Sequence, residues 1–138
     1  MTDPVTSLFD QAVERYQQGE SPDLLVPVFQ EICQKAPKNS PAWTCLAWLY
    51  LLNNQPTLAV KAAQKAVKLN PTDAQSRVNL ALALLETKAS GVREHIEFAD
   101  KLIMIDEETK QEIQNNIADG FKRKPDWSAL QKVKDWLF

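Results

Sequence analysis

The residues of this chain that could carry out covalent or metal chemistry are few and scattered. His95 is the only histidine, and no cysteine or carboxylate stands at metal-ligand spacing from it. Cys45 could act as a nucleophile, but no nearby residue would lower the pKa of its thiol. The sequence also has no glycine-rich phosphate loop, serine elbow or paired-carboxylate motif. We therefore expect no catalytic residue, no metal and no cofactor, and predict that the chain is not an enzyme.

The composition favours a folded helical protein and disfavours a nucleic-acid ligand. Among the 138 residues, 44% are apolar, 25% are charged and only three are glycine. The formal net charge of −2 provides no general positive field for a phosphate backbone. Cys33 and Cys45 fall on different predicted helices, so we expect two unpaired thiols, as in a reducing compartment.

The N-terminal segment lacks the features of a targeting signal. It begins Met1-Thr-Asp-Pro, without a basic segment or an apolar core, and its first few residues look loose. No apolar run reaches the roughly 18 residues that a membrane-spanning helix needs. We expect one soluble, cytoplasmic domain over residues 1–138, with no integral membrane segment.

The elements that would position a functional group follow from an internal repeat. Pro37 and Pro71 are 34 residues apart, and Glu107 stands 36 residues further on, where a third proline would fall. Similar apolar spacings fill each interval. A period of this length indicates stacked helical hairpins.

The clearest unit covers residues 40–73 and predicts two amphipathic helices. The first helix has one apolar stripe with i, i+3, i+4, i+7 spacing: Trp43, Leu46, Ala47 and Tyr50. The second helix has a stripe of small and apolar residues: Leu58, Ala59, Ala62, Ala63, Ala66 and Val67. Pro41 and Pro56 suit the first turns of these helices, and Pro71 follows the end of the second.

This unit resembles the tetratricopeptide repeat (TPR). The resemblance lies in the pattern Trp43-x2-Leu46-Ala47-x2-Tyr50, then Ala59-x3-Ala63-x2-Ala66, then Pro71. Only Ala63 departs from the pattern, because the family favours an aromatic residue there. The resemblance covers about residues 6–109 and implies an all-α fold, a right-handed superhelix of antiparallel helical hairpins. Its concave face would be lined by the first helix of each hairpin.

Diverged copies flank the central unit. The first covers residues 6–39, and Pro27 predicts a late start or a kink in its second helix. The third covers residues 74–109, with Arg77 in place of the aromatic residue and two extra residues in its turn. Residues 110–138 predict a divergent C-terminal capping hairpin, because a terminal unit must cover the end of the stack.

The resemblance implies that a partner binds on the concave face. We expect contacts from the inner-helix residues that lie between packing positions: Asp10, Glu14, Cys45, Trp48, Leu52, Val78, Asn79, Leu82, Leu85 and Glu86. Burying each large apolar side chain of this set would contribute ~1.5–3 kcal/mol, so something should cover them. A peptide or amphipathic helix of a partner would do so. The alternative cover is the C-terminal helix with Trp127, Trp136 and Phe138, or tight curvature of the stack.

Charge favours one kind of ligand. Some TPR domains hold acidic C-terminal tails with a clamp of lysine, asparagine and arginine. At the matching positions only Asn79 agrees, and Asp10 and Glu14 have the opposite charge, so a basic or apolar segment is expected. The basic segment Lys122-Arg123-Lys124, with two further lysines after it, could contact an acidic partner, a membrane surface or RNA, or lie on a solvated face.

The sequence therefore predicts a non-enzymatic adaptor or scaffold that binds a protein segment and helps assemble or regulate a larger complex. The alternative is a self-associating structural subunit whose groove is covered by its own C-terminal helix. The first hypothesis needs an open groove, and the second needs exposed surfaces that pair with another copy.

Overall fold

A computed structural model describes residues 4–138; residues 1–3, part of the N-terminus expected to be loose, lie outside this range. The described range contains eight α-helices and no strand, which confirms the predicted all-α fold. The helices are α1 Pro4–Gln17, α2 Pro22–Lys35, α3 Ser40–Leu52, α4 Pro56–Leu69, α5 Ala74–Glu86, α6 Val92–Ile105, α7 Glu107–Arg123 and α8 Ser128–Leu137. They pair as four hairpins, and each helix packs on the next along the chain.

The turns within the second and third hairpins share one backbone feature. Asn54 and Lys88, which are 34 residues apart, both have a positive φ, of 58° and 56°. The turn between α3 and α4 has three residues, whereas the turn between α5 and α6 has five. The two extra residues therefore lie in the turn, as predicted. Gly91 ends this longer turn at a φ of 101°, which a residue with a side chain rarely adopts.

Pro27 does not delay the start of α2, so the prediction of a late start is wrong. The helix begins at Pro22 and continues through Pro27, whose own side chain is exposed. Proline removes one backbone hydrogen bond and costs ~3 kcal/mol in a helix interior. The same helix buries Leu25, Phe29 and Ile32, with at most 1% of each exposed. Their burial, at ~1.5–3 kcal/mol each, offsets that cost.

The two central inner helices are buried on almost every side. In α3, every residue from Leu46 to Leu51 is buried, and in α5 the same holds from Ser76 to Leu84. A helix that is apolar all round must be covered on its concave side as well as its convex side. The last hairpin supplies part of that cover, because α5 contacts α7 and α8 as well as α3, α4 and α6.

Candidate functional site

The first and last inner helices meet at their C-terminal ends. Trp48 on α3 donates a hydrogen bond from Nε1 to the hydroxyl of Tyr16 on α1, at 2.8 Å. The Tyr16 hydroxyl donates in turn to the carboxylate of Asp119 on α7. These contacts join α1, α3 and α7 across the concave face. We call this part of the groove, formed by Tyr16, Trp48 and Asp119, the closed end.

Arg123, the last residue of α7, and Lys124, the residue after it, strengthen the closed end by capping neighbouring helices. Arg123 donates from Nη2 to the backbone carbonyl of Tyr16 at 2.8 Å, and its guanidinium lies 3.8 Å from the Tyr16 ring centroid. Lys124 donates from Nζ to the backbone carbonyl of Leu51 at 3.2 Å. Both carbonyls belong to the last turns of their helices, where each also accepts a backbone N–H, from Gly19 and Asn54 respectively, and where the helix dipole favours a positive charge. Two members of the predicted basic segment are therefore structural contacts within the chain.

The C-terminal hairpin covers the part of the concave face next to the closed end. The ring of Trp127 packs on Trp48 with a centroid distance of 5.3 Å, and its Nε1 donates to Glu86 Oε1 at 2.6 Å. Of the three aromatic residues expected to provide cover, Trp127 is buried, whereas Trp136 and Phe138 are 51% and 43% exposed. The C-terminal segment therefore covers the groove through the start of α8 and not through its end.

Gly120 allows α7 to approach this closely. A Cβ atom at this position would lie 2.7 Å from Leu130 Cδ2 and 3.0 Å from Trp48 Cη2. Real Cβ atoms essentially never come within 3.0 Å of another heavy atom. The absence of a side chain at Gly120 therefore lets α7, α8 and the Trp48 ring pack against one another.

An open cavity of about 430 Å³ continues from the closed end. It lies between α1, α3, α5 and α7 and against α2, and its apolar wall is formed by Val13 and Trp48, with the buried Phe29 and Leu49 behind them. This volume is within the range of about 300–1,000 Å³ that ligand pockets usually have. The groove is therefore only partly filled by the chain itself.

The polar wall of the cavity is a connected row of carboxamides. Asn116 Nδ2 donates to Gln75 Oε1 at 2.8 Å, and Gln75 Nε2 donates to Asn79 Oδ1 at 2.7 Å. Asn79 Nδ2 donates to the backbone carbonyl of Thr44 at 3.0 Å. The row orients these amides; Asn79 is buried, whereas the half-buried Gln75 and the exposed Asn116 each have a further bonding position. The cavity can therefore offer both donors and acceptors to a ligand.

The structure distributes the predicted contact residues over four different environments. Cys45, Trp48 and Asn79 line the cavity. Val78 and Leu82 are at most 1% exposed, and so face no open groove. Leu52 and Leu85 are half-buried outside the cavity lining, and Glu86 holds Trp127. Asp10 and Glu14 are exposed on α1. The assignment of the residues in all four environments as partner contacts stays a prediction.

Several cavity residues were not among the predicted contacts, including Val13, Tyr16, Gln17, Phe29, Leu49, Asn116, Asp119 and Arg123. Val13 and Tyr16 occupy positions that the repeat assigns to packing between helices. Asn116, Asp119 and Arg123 lie three and four residues apart, so one face of α7 presents them all. That polar stripe was the available signal, but nothing in the sequence indicates that it faces α1.

Burial perturbs the pKa values of both cysteine thiols and of His95. Burial raises the pKa of the Cys33 thiol to about 12, with a smaller effect from Cys45. Burial and Asp73 raise the pKa of the Cys45 thiol to about 12 as well, so both free cysteines are protonated thiols at neutral pH. Burial and the Arg77 guanidinium, which is 3.1 Å from His95 Nδ1, lower the pKa of His95. Within residues 4–138, no cluster of three metal-ligating side chains is present.

These features define the chain as an all-helical repeat protein with a partly self-covered concave groove. Residues 28–61 match the family described as "Tetratricopeptide repeat", over a stretch that begins in α2, contains α3 and ends in α4. The chain is accordingly a small protein of the TPR type. No curated protein matches the sequence. Among the helices within residues 4–138, none has the length and apolar character to cross a membrane.

Solved structures share this fold over nearly the whole chain. The type III secretion translocator chaperone SycD of Yersinia enterocolitica, in complex with a peptide of the translocator YopD, has 20% identity and a TM-score of 0.73, covering 97% of this chain and 95% of that one. An alternative dimer of SycD has 20% identity and a TM-score of 0.72, covering 97% and 94%. The first TPR of Spaghetti (RPAP3), bound to the HSP90 peptide SRMEEVD, has 16% identity and a TM-score of 0.55, covering 96% and 92%. At these identities the likeness concerns the fold.

Proposed function

We propose that this protein is a non-enzymatic adaptor that holds a segment of a partner protein in its concave cavity and thereby helps assemble or regulate a larger complex in the cytoplasm. One observation carries the proposal: a cavity of about 430 Å³ stays open between four inner helices after the C-terminal hairpin has packed in the same groove. The segment is a peptide or one face of an amphipathic helix.

The chemistry of the cavity walls suits a polypeptide ligand. A bound peptide buries backbone N–H and C=O groups, and each group that lacks a partner costs free energy. The carboxamides of Gln75 and Asn116 offer donors and acceptors for those groups. The apolar wall with Val13 and Trp48 provides a site for a large apolar side chain. Both parts of a peptide therefore find a matching surface.

Two of the similar structures support this proposal. SycD is in complex with a peptide of YopD, and the RPAP3 TPR is bound to an HSP90 peptide. Peptide binding is therefore compatible with the fold that this chain shares with them. The identity of 16–20% transfers neither ligand to this chain.

The test is to fill the cavity without disturbing the core. Asn116→Trp places a large ring at an exposed position of the cavity wall. Gln114→Trp is the matched control, because it adds the same ring to an exposed position two residues earlier on α7, outside the cavity lining. Partners captured by the wild-type chain would be identified by mass spectrometry, purified and titrated against all three proteins. We expect Asn116→Trp to weaken binding by at least about tenfold and Gln114→Trp to leave it unchanged. Equal binding by the two variants would refute the cavity as the binding site.

Self-association is a second candidate function, favoured by apolar surface at the C-terminal end of the stack. Met104 and Ile105 are adjacent at the end of α6 and are 77% and 81% exposed. Trp136 and Phe138 at the end of α8 are about half-exposed. Large exposed apolar residues frequently mark surfaces that bind another protein. Light scattering over a hundredfold concentration range tests this candidate, and a constant monomer mass would exclude it.

A further inference from the structure

Three carboxylates flank the open cavity on the two helices that form its sides. Asp10 and Glu14 on α1 each lie three residues before a cavity-lining residue, Val13 and Gln17 respectively. Glu112 on α7 lies four residues before Asn116. Residues three or four apart share one side of a helix, so each carboxylate lies on the side of its helix that carries a cavity-lining residue, and none of the three is itself part of the lining. We call Asp10, Glu14 and Glu112 the acidic rim.

The charge of the acidic rim is not neutralised by the chain. All three residues are exposed, and the ion pairs of the described residues are Arg15–Glu20, Lys35–Glu31 and Arg123–Asp119. Glu14 accepts one hydrogen bond, at 3.4 Å, from the neutral side chain of Gln18. Each rim carboxylate is therefore available to a charge on a ligand.

Arg123, the cation at the cavity, is engaged by the chain itself. Arg123 is the only lysine or arginine among the lining residues of the described chain. Its Nε atom donates to Asp119 at 3.0 Å, and Nη2 is bound to the backbone carbonyl of Tyr16. The positive N-terminal ends of three inner helices are also occupied by the chain. The side chains of Asn39, Asp73 and Asp106 cap the N-termini of α3, α5 and α7.

We propose that the cavity selects a partner segment in which a large apolar side chain is flanked by lysine or arginine, and that it rejects acidic segments. This inference rests on the proposed function and specifies the ligand of the same site. The apolar wall holds the apolar side chain, and the acidic rim attracts the flanking cations at a range shorter than the Debye length of about 10 Å at 0.1 M salt. An acidic segment meets three like charges, and the Arg123 guanidinium at the cavity is already paired with Asp119.

The experiment compares three fluorescein-labelled peptides by fluorescence anisotropy. One has leucine and phenylalanine flanked by lysines, the second has the same apolar residues flanked by glutamates, and the third is SRMEEVD, the peptide bound by the RPAP3 TPR. At about 50 mM salt we expect the lysine peptide to bind at least about tenfold more tightly than either acidic peptide. At about 0.5 M salt we expect this ratio to fall to roughly threefold or less, because salt screens exposed charges.

Charge-reversed variants assign the preference to the acidic rim. Glu14→Lys/Glu112→Lys is expected to lose the preference for the lysine peptide. The control Glu97→Lys/Asp126→Lys changes the net charge by the same amount at exposed positions outside the cavity lining, and is expected to keep the preference. An equal effect of the two double variants would overturn the inference, because the preference would then follow net charge alone.

The outcomes separate this inference from the proposed function. One outcome is that acidic peptides bind as tightly as the lysine peptide and that Asn116→Trp weakens their binding. This outcome would overturn the charge preference and leave the groove as a peptide site. Binding of no peptide, or binding that Asn116→Trp leaves unchanged, would overturn the groove assignment and the inference with it.

Discussion

Trp43 and Arg77 make the same hydrogen bond in two successive hairpins. Trp43 donates from Nε1 to the backbone carbonyl of Pro37 at 2.9 Å, and Arg77 donates from Nε to the backbone carbonyl of Pro71 at 3.0 Å. The two side chains, like the two prolines, are 34 residues apart. The replacement of the motif's aromatic residue by arginine therefore keeps the contact that joins an inner helix to the turn before it.

Removing this contact should destabilise the third hairpin. Arg77 is 9% exposed, and its guanidinium also lies 4.1 Å from the ring centroid of Phe98. We expect Arg77→Leu to lower the free energy of unfolding by ~1–3 kcal/mol, because it leaves a carbonyl without its donor. Arg77→Trp should cost less, since tryptophan makes the equivalent bond at position 43. Urea denaturation measures both, with the exposed Arg93→Leu as the control, expected within about 0.5 kcal/mol of wild type.

The change in stability caused by Gly120→Ala distinguishes packing from helix propensity, because the two effects have opposite signs. In an exposed helix, replacing glycine by alanine stabilises by up to ~1 kcal/mol. Here the added Cβ would lie 2.7 Å from Leu130 and 3.0 Å from Trp48, both of which are buried. We expect Gly120→Ala to destabilise the protein by ~1–3 kcal/mol, as overpacking does. Thermal and urea unfolding measure the change. Ala118→Gly at an exposed position of α7 calibrates the propensity of that helix, and a stabilising Gly120→Ala would contradict the close approach.

The hydroxyl of Tyr16 should stabilise the packing of α7 against α1 and α3. Tyr16→Phe removes the acceptor of Trp48 Nε1 and the donor to Asp119, but keeps the ring under Arg123. We expect a loss of ~1–2 kcal/mol and faster amide hydrogen exchange in α7. Tyr50→Phe is the control, because its hydroxyl accepts a bond at 2.7 Å from Gln30 and so joins only α2 and α3. Equal exchange rates of α7 in the two variants would show that the closed end is held by other contacts.

The sequence predicts the hairpins well because their contacts are local and periodic. The i, i+3, i+4, i+7 stripe through Trp43 and Tyr50 defines α3, and Pro56 marks the start of α4. The late start predicted from Pro27 was wrong because the local cost of a proline was counted without the burial of the neighbouring Phe29. Local patterns thus give helices reliably, and errors arise where tertiary packing outweighs propensity.

The closed end could not be predicted in the same way. Tyr16 and Asp119 are separated by 103 residues, and their contact depends on the angles between successive hairpins added over the whole stack. Trp48, Leu49 and Leu51 make α3 apolar on several sides, so the sequence does indicate that its concave face is covered. It does not indicate whether a partner or the last hairpin covers that face. In the structure the last hairpin covers part of that face, with Trp127 over Trp48, and an open cavity lies beside them.

Alkaline pH should destabilise the protein through groups that it buries in their neutral forms. Burial raises the pKa of Cys33 and of Cys45 from 9.0 to about 12. Burial and the hydrogen bond to Asp119 also raise the pKa of Tyr16 above its ordinary value of 10.0. Between these ordinary values and the raised ones, the unfolded chain has released protons that the folded chain still holds. Stability is therefore fully present below about pH 9 and falls as the pH rises, by up to ~1.4 kcal/mol per pH unit for each titrating group.

Urea denaturation at pH 7.5, 9, 10 and 11 measures this dependence. We expect a midpoint that is nearly constant from pH 7.5 to 9 and then decreases. Cys45→Ala removes one of the three groups, so its stability should fall less steeply above pH 9 than that of the wild type, whatever the cost of the substitution at pH 7.5. The exposed Lys61→Ala, far from these groups in sequence, should keep the wild-type slope. A wild-type midpoint that does not change up to pH 11 would mean that water reaches these thiols and the Tyr16 hydroxyl in the folded chain.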